Sequence, residues 1–282
     1  MKKLLAGLFL SVLVLALAAC GAGKKEDTSS GSSSNDSKEK VTLTVGASNT
    51  PHAVILEKAK PILAKEGIDL KIEKYQDYVL PNQDLESGDL DANYFQHIPY
   101  LEKEIKEKGY DFVNAGGIHI EPIGIYSKKY KSLEDLPEGA TILLSNSVAD
   151  HGRMLSLLEA KGLIKLKDGV DKTSAELKDV EENPKNFKFD ANTAPEMLVQ
   201  MYENNEGDAV LINSNYAIDN GLNPLKDAIS LEDKESPYVN IIAVRAGDET
   251  KPEIKKLVEV LKSKEIQDFI LEEWKGSVVP VK

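Results

Sequence analysis

The chain has 282 residues, with 47 Asp and Glu against 35 Lys and Arg and a formal net charge of −12. Such an acidic surface argues against nucleic acid and anionic lipid headgroups as electrostatic partners. With a single cysteine, Cys20, an intrachain disulfide is also excluded.

Residues 1–19 read as a signal peptide, because Lys2 and Lys3 precede an uncharged apolar run from Leu4 to Ala19. That run is shorter than the roughly 20 residues of a spanning helix. Its end, Leu17, Ala18, Ala19, Cys20 and Gly21, resembles a lipobox, so Cys20 is expected to be acylated and to begin the mature chain. A diacylglycerol carries two acyl chains, which is enough for stable anchoring, and the expected location is the outer side of the cell membrane. Residues 20–40 are almost all Gly, Ser, Lys, Glu and Asp, with nothing to bury, and read as a flexible tether.

The body opens β-α-β: Val41 to Ala47 alternates, Ala53 to Glu66 has helical apolar spacing, and Leu70 to Ile72 begins a strand. A strand follows at Asp91 to Tyr94, then a charged helix from Pro99 to Lys108, then strands at Phe112 to Ala115 and Ile118 to Ser127. A second set begins with a strand at Thr141 to Leu144 and a helix from about Gly152 to Lys161. It ends with a strand at Ala209 to Ile212 and a helix near Asn215. Tyr238 to Arg245 returns as a buried strand, and helices at Pro252 to Lys262 and Lys264 to Trp274 close the chain. This order predicts an α/β protein of two lobes, each a parallel sheet flanked by helices. Lobe 1 would comprise 41–126 and 237–282 and lobe 2 127–236, with the crossings near Tyr126 and Pro237.

Ligands in such sheets collect at the carboxyl ends of strands, where three clusters fall. The first carries Tyr94, Phe95, Gln96 and His97: aromatic faces to grip an apolar group, and an amide and an imidazole to fix a polar end. Equally, Tyr94 and Phe95 read as core and His97 as a helix cap. The second surrounds Arg153. Only two of the 35 basic Lys and Arg residues are arginines, Arg153 and Arg245, so the planar fork at 153 points to a carboxylate. The competing reading is an ion pair with Asp150. The third ends in Asn213, whose amide suits both an ammonium and a carboxylate, or simply caps a helix. His119 and Glu121 share a strand face and, with His97 and His151, raise a transition-metal site, but no paired metal spacing accompanies them and none is expected. A nucleophile with its base, a phosphate loop and an HExxH motif are all missing, so neither an enzyme nor a cofactor is expected.

Several stretches in order resemble the methionine-binding lipoproteins of the NlpA type: DYVLPN from Asp77, DANYFQH from Asp91, HIEPIGIYS from His119 and GRMLSLLEAKGLIKL from Gly152. ENPKN from Glu182, INSNYA from Ile212 and SPYVN from Ser236 continue the series. The resemblance implies a two-lobe periplasmic-binding-protein fold, type II-like, with the ligand in the interlobe cleft. It implies a monomer serving an ABC importer whose permease and ATPase are separate chains. It also implies that Arg153 and Asn213 hold a methionine's carboxylate and amino groups, and that Tyr78, Tyr94, Phe95, His97 and Tyr100 line the slot for its side chain, with Tyr238 beside them. Where the family places Asn three residues before the arginine, this chain has Asp150. A carboxylate there either neutralises Arg153 or draws the ligand's ammonium. D-methionine, a methionine dipeptide, another small amino acid and a transition metal stay open as ligands.

Overall fold

A computed structural model describes residues 40–281. The expected signal peptide, Cys20 and nearly all of the tether lie outside the described residues.

Strands β1 (Val41–Ser48) and β2 (Ile68–Tyr75) pair in parallel across helix α1 (Val54–Lys65). Helix α2 (Leu80–Ser87) leads to β3 (Ala92–His97), α3 (Ile98–Lys108) and β4 (Phe112–Ile120). Next come β5 (Gly124–Tyr126), β6 (Thr141–Ser145), α4 (Val148–Ala160) and a small antiparallel pair, β7 (Lys165–Leu166) and β8 (Val180–Glu182). Strand β9 (Lys188–Thr193), α5 (Leu198–Glu203), β10 (Ala209–Ile212), α6 (Ser214–Asp219), α7 (Pro224–Asp227) and β11 (Ala228–Leu231) complete this part. The chain then closes with β12 (Val239–Arg245), α8 (Pro252–Leu261), α9 (Lys264–Trp274) and β13 (Val279–Pro280).

Lobe 1 is built on a six-stranded sheet of order β13-β4-β12-β3-β1-β2, and lobe 2 on a five-stranded sheet of order β11-β5-β10-β6-β9. Both are mixed rather than parallel. The returning strand β12 inserts antiparallel between β3 and β4, and β5 runs antiparallel to β10 and β11. A chain that leaves a sheet and re-enters it from the other lobe arrives pointing the opposite way. The first crossing is 121–123, earlier than the expected Tyr126, because Gly124–Tyr126 is hydrogen-bonded into the lobe 2 sheet. The second crossing spans 232–238, between β11 and β12.

Each lobe has its own core. In lobe 1, Val45, Ala47, Tyr94 and Ile242 pack under Leu56, Leu63, Leu257 and Ile266 of the covering helices. In lobe 2, Ile125, Ile142 and Leu144 pack against Met154, Leu155 and Leu158 of α4. Burial on both faces explains why β3 shows no alternation: all six of its residues are buried.

Helix α4 starts at Val148, four residues before the expected Gly152, so Arg153 lies in its second turn and not at its amino terminus. Gly152 inside this helix forgoes about 1 kcal/mol of helix propensity relative to alanine. The reason is close approach: a Cβ there would lie 2.5 Å from the Lys172 carbonyl oxygen and 2.6 Å from Thr173 backbone atoms. Gly152→Ala is therefore expected to destabilise the protein by about 1–3 kcal/mol despite its better propensity, the range for overpacking a tight contact. At this size each kcal/mol lowers the melting temperature by about 2–4 °C, and a calorimetric scan showing no fall contradicts the packing account.

Candidate functional site at the interlobe cleft

The carboxyl ends of β3 and β10 and helices α4 and α6 meet between the lobes around a small cavity. Lobe 1 supplies Tyr78, Phe95, His97 and Tyr100 to its lining, and lobe 2 supplies Asp150, Arg153 and Asn213. The rings of Tyr78, Phe95 and Tyr100 lie with centroids 5.9–6.1 Å apart and form an aromatic wall. The lobes also touch directly. The Tyr78 hydroxyl donates to Asn215 Oδ1 at 2.7 Å, its ring lies 5.0 Å from that of Tyr216, and the Tyr216 hydroxyl donates to the Gln76 carbonyl at 3.2 Å.

Two of the expected slot residues do not line this cavity. Successive strand residues face opposite ways, so Phe95 meets the cleft while Tyr94 turns into the lobe 1 core and hydrogen-bonds His119 Nδ1. Tyr238 instead stacks on the Arg153 guanidinium at 4.8 Å and packs edge-on to His97, with ring centroids 5.0 Å apart.

His97 caps α3 and faces the cleft at once. Its Nδ1 accepts from the Tyr100 N–H at 3.1 Å, which leaves the proton of the neutral ring on Nε2, 3.7 Å from Asp150 Oδ1. Burial lowers the His97 pKa and favours that neutral form. Asn213 Nδ2 donates to Asp150 Oδ1 at 3.4 Å, while Asp150 Oδ2 and Asn213 Oδ1 are buried with no hydrogen-bond partner. Two adjacent orphan acceptors are costly, each on the order of 1–3 kcal/mol, unless a donor arrives.

Arg153 is paired within the chain, but with Glu232 and not with Asp150. Its Nε donates to Glu232 Oε2 at 2.9 Å, and Nη2 donates to the same oxygen and to the Glu121 carbonyl. Burial works against the guanidinium's charge, and the Glu232 carboxylate outweighs it, so the pKa rises. Nη1 makes no hydrogen bond among the described residues.

Below the cavity lies a second buried cluster. His119 Nε2 donates to Glu121 Oε1 at 2.7 Å, and His52 Nε2 lies 3.2 Å from the same oxygen and 2.9 Å from Asn240 Oδ1. His52, His119 and Glu121 form the one group among the described residues arranged so that a metal ion would fit. The metal question raised over His119 and Glu121 with His97 and His151 thus keeps the first two and joins them to His52. His151 turns away and meets the Ser145 carbonyl at 2.8 Å. In the cluster both imidazoles meet one carboxylate oxygen and the Tyr94 hydroxyl meets His119 Nδ1, while His52 Nδ1 is buried with no hydrogen-bond partner. His52, Asn240 and Glu232 were not singled out from sequence. Asn240 sits in the SPYVN stretch, but nothing in the charged run around Glu232 distinguishes that carboxylate.

A family model described as NlpA lipoprotein matches residues 43–282. The chain belongs to the NlpA lipoprotein family. This NlpA lipoprotein is 52% identical over 283 residues to the methionine-binding lipoprotein MetQ of Bacillus subtilis (strain 168), covering 100% of this chain and 99% of that one. It is 42% identical over 240 residues to the D-methionine-binding lipoprotein MetQ of Escherichia coli (strain K12), covering 85% and 87%. A solved nutrient binding protein from Burkholderia cenocepacia, bound to methionine, is similar with a TM-score of 0.81 at 43% identity, over 85% of this NlpA lipoprotein and 100% of that chain. No helix among the described residues is long and apolar enough to cross a membrane.

The buried histidines give the family member a defined acid response. An unfolded histidine takes its proton near 6.5, whereas burial, opposed by the Glu121 charge, lowers His52 to about 4, and burial lowers His119 to about 3. Between those values the unfolded chain binds more protons, so stability is present above pH 6.5 and is lost as the pH falls through this window. Glu121, raised by burial, works in the opposite sense. His52→Gln is expected to flatten the fall in melting temperature between pH 6.5 and 4. Identical slopes for the two proteins would refute this.

Proposed function

We propose that the chain is the substrate-binding lipoprotein of an ABC importer, taking free methionine, L-methionine first, in the interlobe cavity and delivering it to a permease driven by an ATPase. Anchoring through lipid on Cys20 holds it on the outer side of the cell membrane, where it acts as a monomer. Catalysis has no part in this reading: the relatives are named for binding.

One observation carries it: Asp150 Oδ2 and Asn213 Oδ1, both buried and unpartnered, line the same cavity as Arg153 and an aromatic wall. A zwitterion fits this set. Its ammonium supplies the donors those acceptors lack, its carboxylate meets Arg153 Nη1, and a polarizable thioether lies against Tyr78, Phe95 and Tyr100. Asp150 thus serves the ligand's ammonium, since Glu232 already balances Arg153. Contacts from both lobes favour the closed form, which then docks on the permease.

Isothermal titration tests the assignment. Asp150→Ala is expected to weaken methionine binding about 10- to 100-fold, the worth of a charge-assisted hydrogen bond. N-acetylmethionine, lacking the ammonium, is expected not to bind; affinity equal to that of methionine would remove Asp150 and Asn213 from the site.

A further inference from the structure

Glu232 is not one of the residues that line the cavity, yet it makes a concentrated set of contacts. It lies on the second crossing, where its Oε1 accepts from the Ser236 hydroxyl at 2.9 Å. Its Oε2 accepts from the Ile123 N–H of the first crossing at 3.2 Å and from Arg153 of α4 through Nε at 2.9 Å and through Nη2. The Glu121 carbonyl, also on the first crossing, takes the Arg153 Nη2 as well. One carboxylate therefore joins both crossings to the guanidinium, and the Tyr238 ring fixes the plane of that guanidinium from its face.

We propose that Glu232 is a positioning residue for the ligand's carboxylate: by occupying the Nε and Nη2 edge of Arg153 it leaves Nη1 as the donor presented to the cavity, at a place set by both interlobe crossings. The inference rests on the reading of Arg153 as the carboxylate donor. It also changes that reading, because the ligand meets one nitrogen end-on and not the two-pronged fork, whose other edge is already used. A guanidinium so held has lost its rotamer freedom before the ligand arrives, so less entropy is lost on binding. Without Glu232 the side chain swings within the cleft and Nη1 loses its fixed place.

Because the chain has only two arginines, Arg153 and Arg245, nitrogen-15 spectra of the Arg Nε–H groups hold two side-chain signals and need no ligand. In Glu232→Gln the Arg153 Nε–H is expected to lose its protection from solvent exchange. Arg245, held by the Leu85 and Leu90 carbonyls and by Asp248, keeps its own environment. Methionine affinity is expected to fall at least about 10-fold, and Glu232→Asp, which keeps the charge on a shorter arm, to recover part of it. Methioninamide, which has no carboxylate, is expected to bind wild type and variants alike. Tighter methionine binding by Glu232→Gln would overturn the proposal by showing that Glu232 competes with the ligand. An equal loss for methionine and methioninamide would overturn it by showing a general structural role. Unchanged Nε–H protection would overturn it without reference to any ligand, so a wild type that binds no methionine defeats the proposed function and leaves this test intact. Should Glu232→Gln fail to fold, Glu232→Asp carries the same comparison of the two ligands.

Discussion

The cleft depends on how one buried arginine is held. Arg153 enters from a helix of lobe 2 and is tied to both segments that join the lobes, through the Glu121 carbonyl and the Glu232 carboxylate. A buried cation with no partner would cost several kcal/mol, and this one stays charged because Glu232 outweighs the effect of burial. The pair also couples two geometries, since any change in the angle between the lobes moves the segments that hold the guanidinium.

Around that pair the polar groups are sorted by whether they are satisfied. The His52, His119, Glu121 and Tyr94 cluster is nearly closed on itself, so it stiffens the floor of the cavity. The wall at Asp150 and Asn213 is left short of donors. A wall short of donors discriminates by what supplies them, which is how a small cavity separates ligands of similar size.

Much of the architecture was legible in the residues. Apolar spacing placed most of the main elements of lobe 1 and the helices that close the chain, because those segments bury one clear face or a continuous run. Strands β7 to β9, β11 and β13 and helices α2, α5 and α7 were not foreseen: they are short and held by neighbours more than by their own pattern. The sheets were expected to be parallel, and the antiparallel insertion of β12 has no local signature. The scarcity of arginine marked Arg153, and strand-end chemistry marked His97 and Asn213, but Tyr94 was placed in the slot although the pleat turns it into the core.

What the sequence by itself determined is the class of molecule: an α/β body and an arginine chosen against a background of lysine. Residue types and short-range periodicity carry those facts directly. Only the tertiary structure decided which carboxylate Arg153 meets. Asp150 is three residues away and Glu232 is 79 away, and the longer separation wins because the second crossing brings Glu232 beside the guanidinium while Asp150 turns to His97 and Asn213. Pairing of charges follows distance in space, and a chain that leaves a lobe and returns sets that distance by its path.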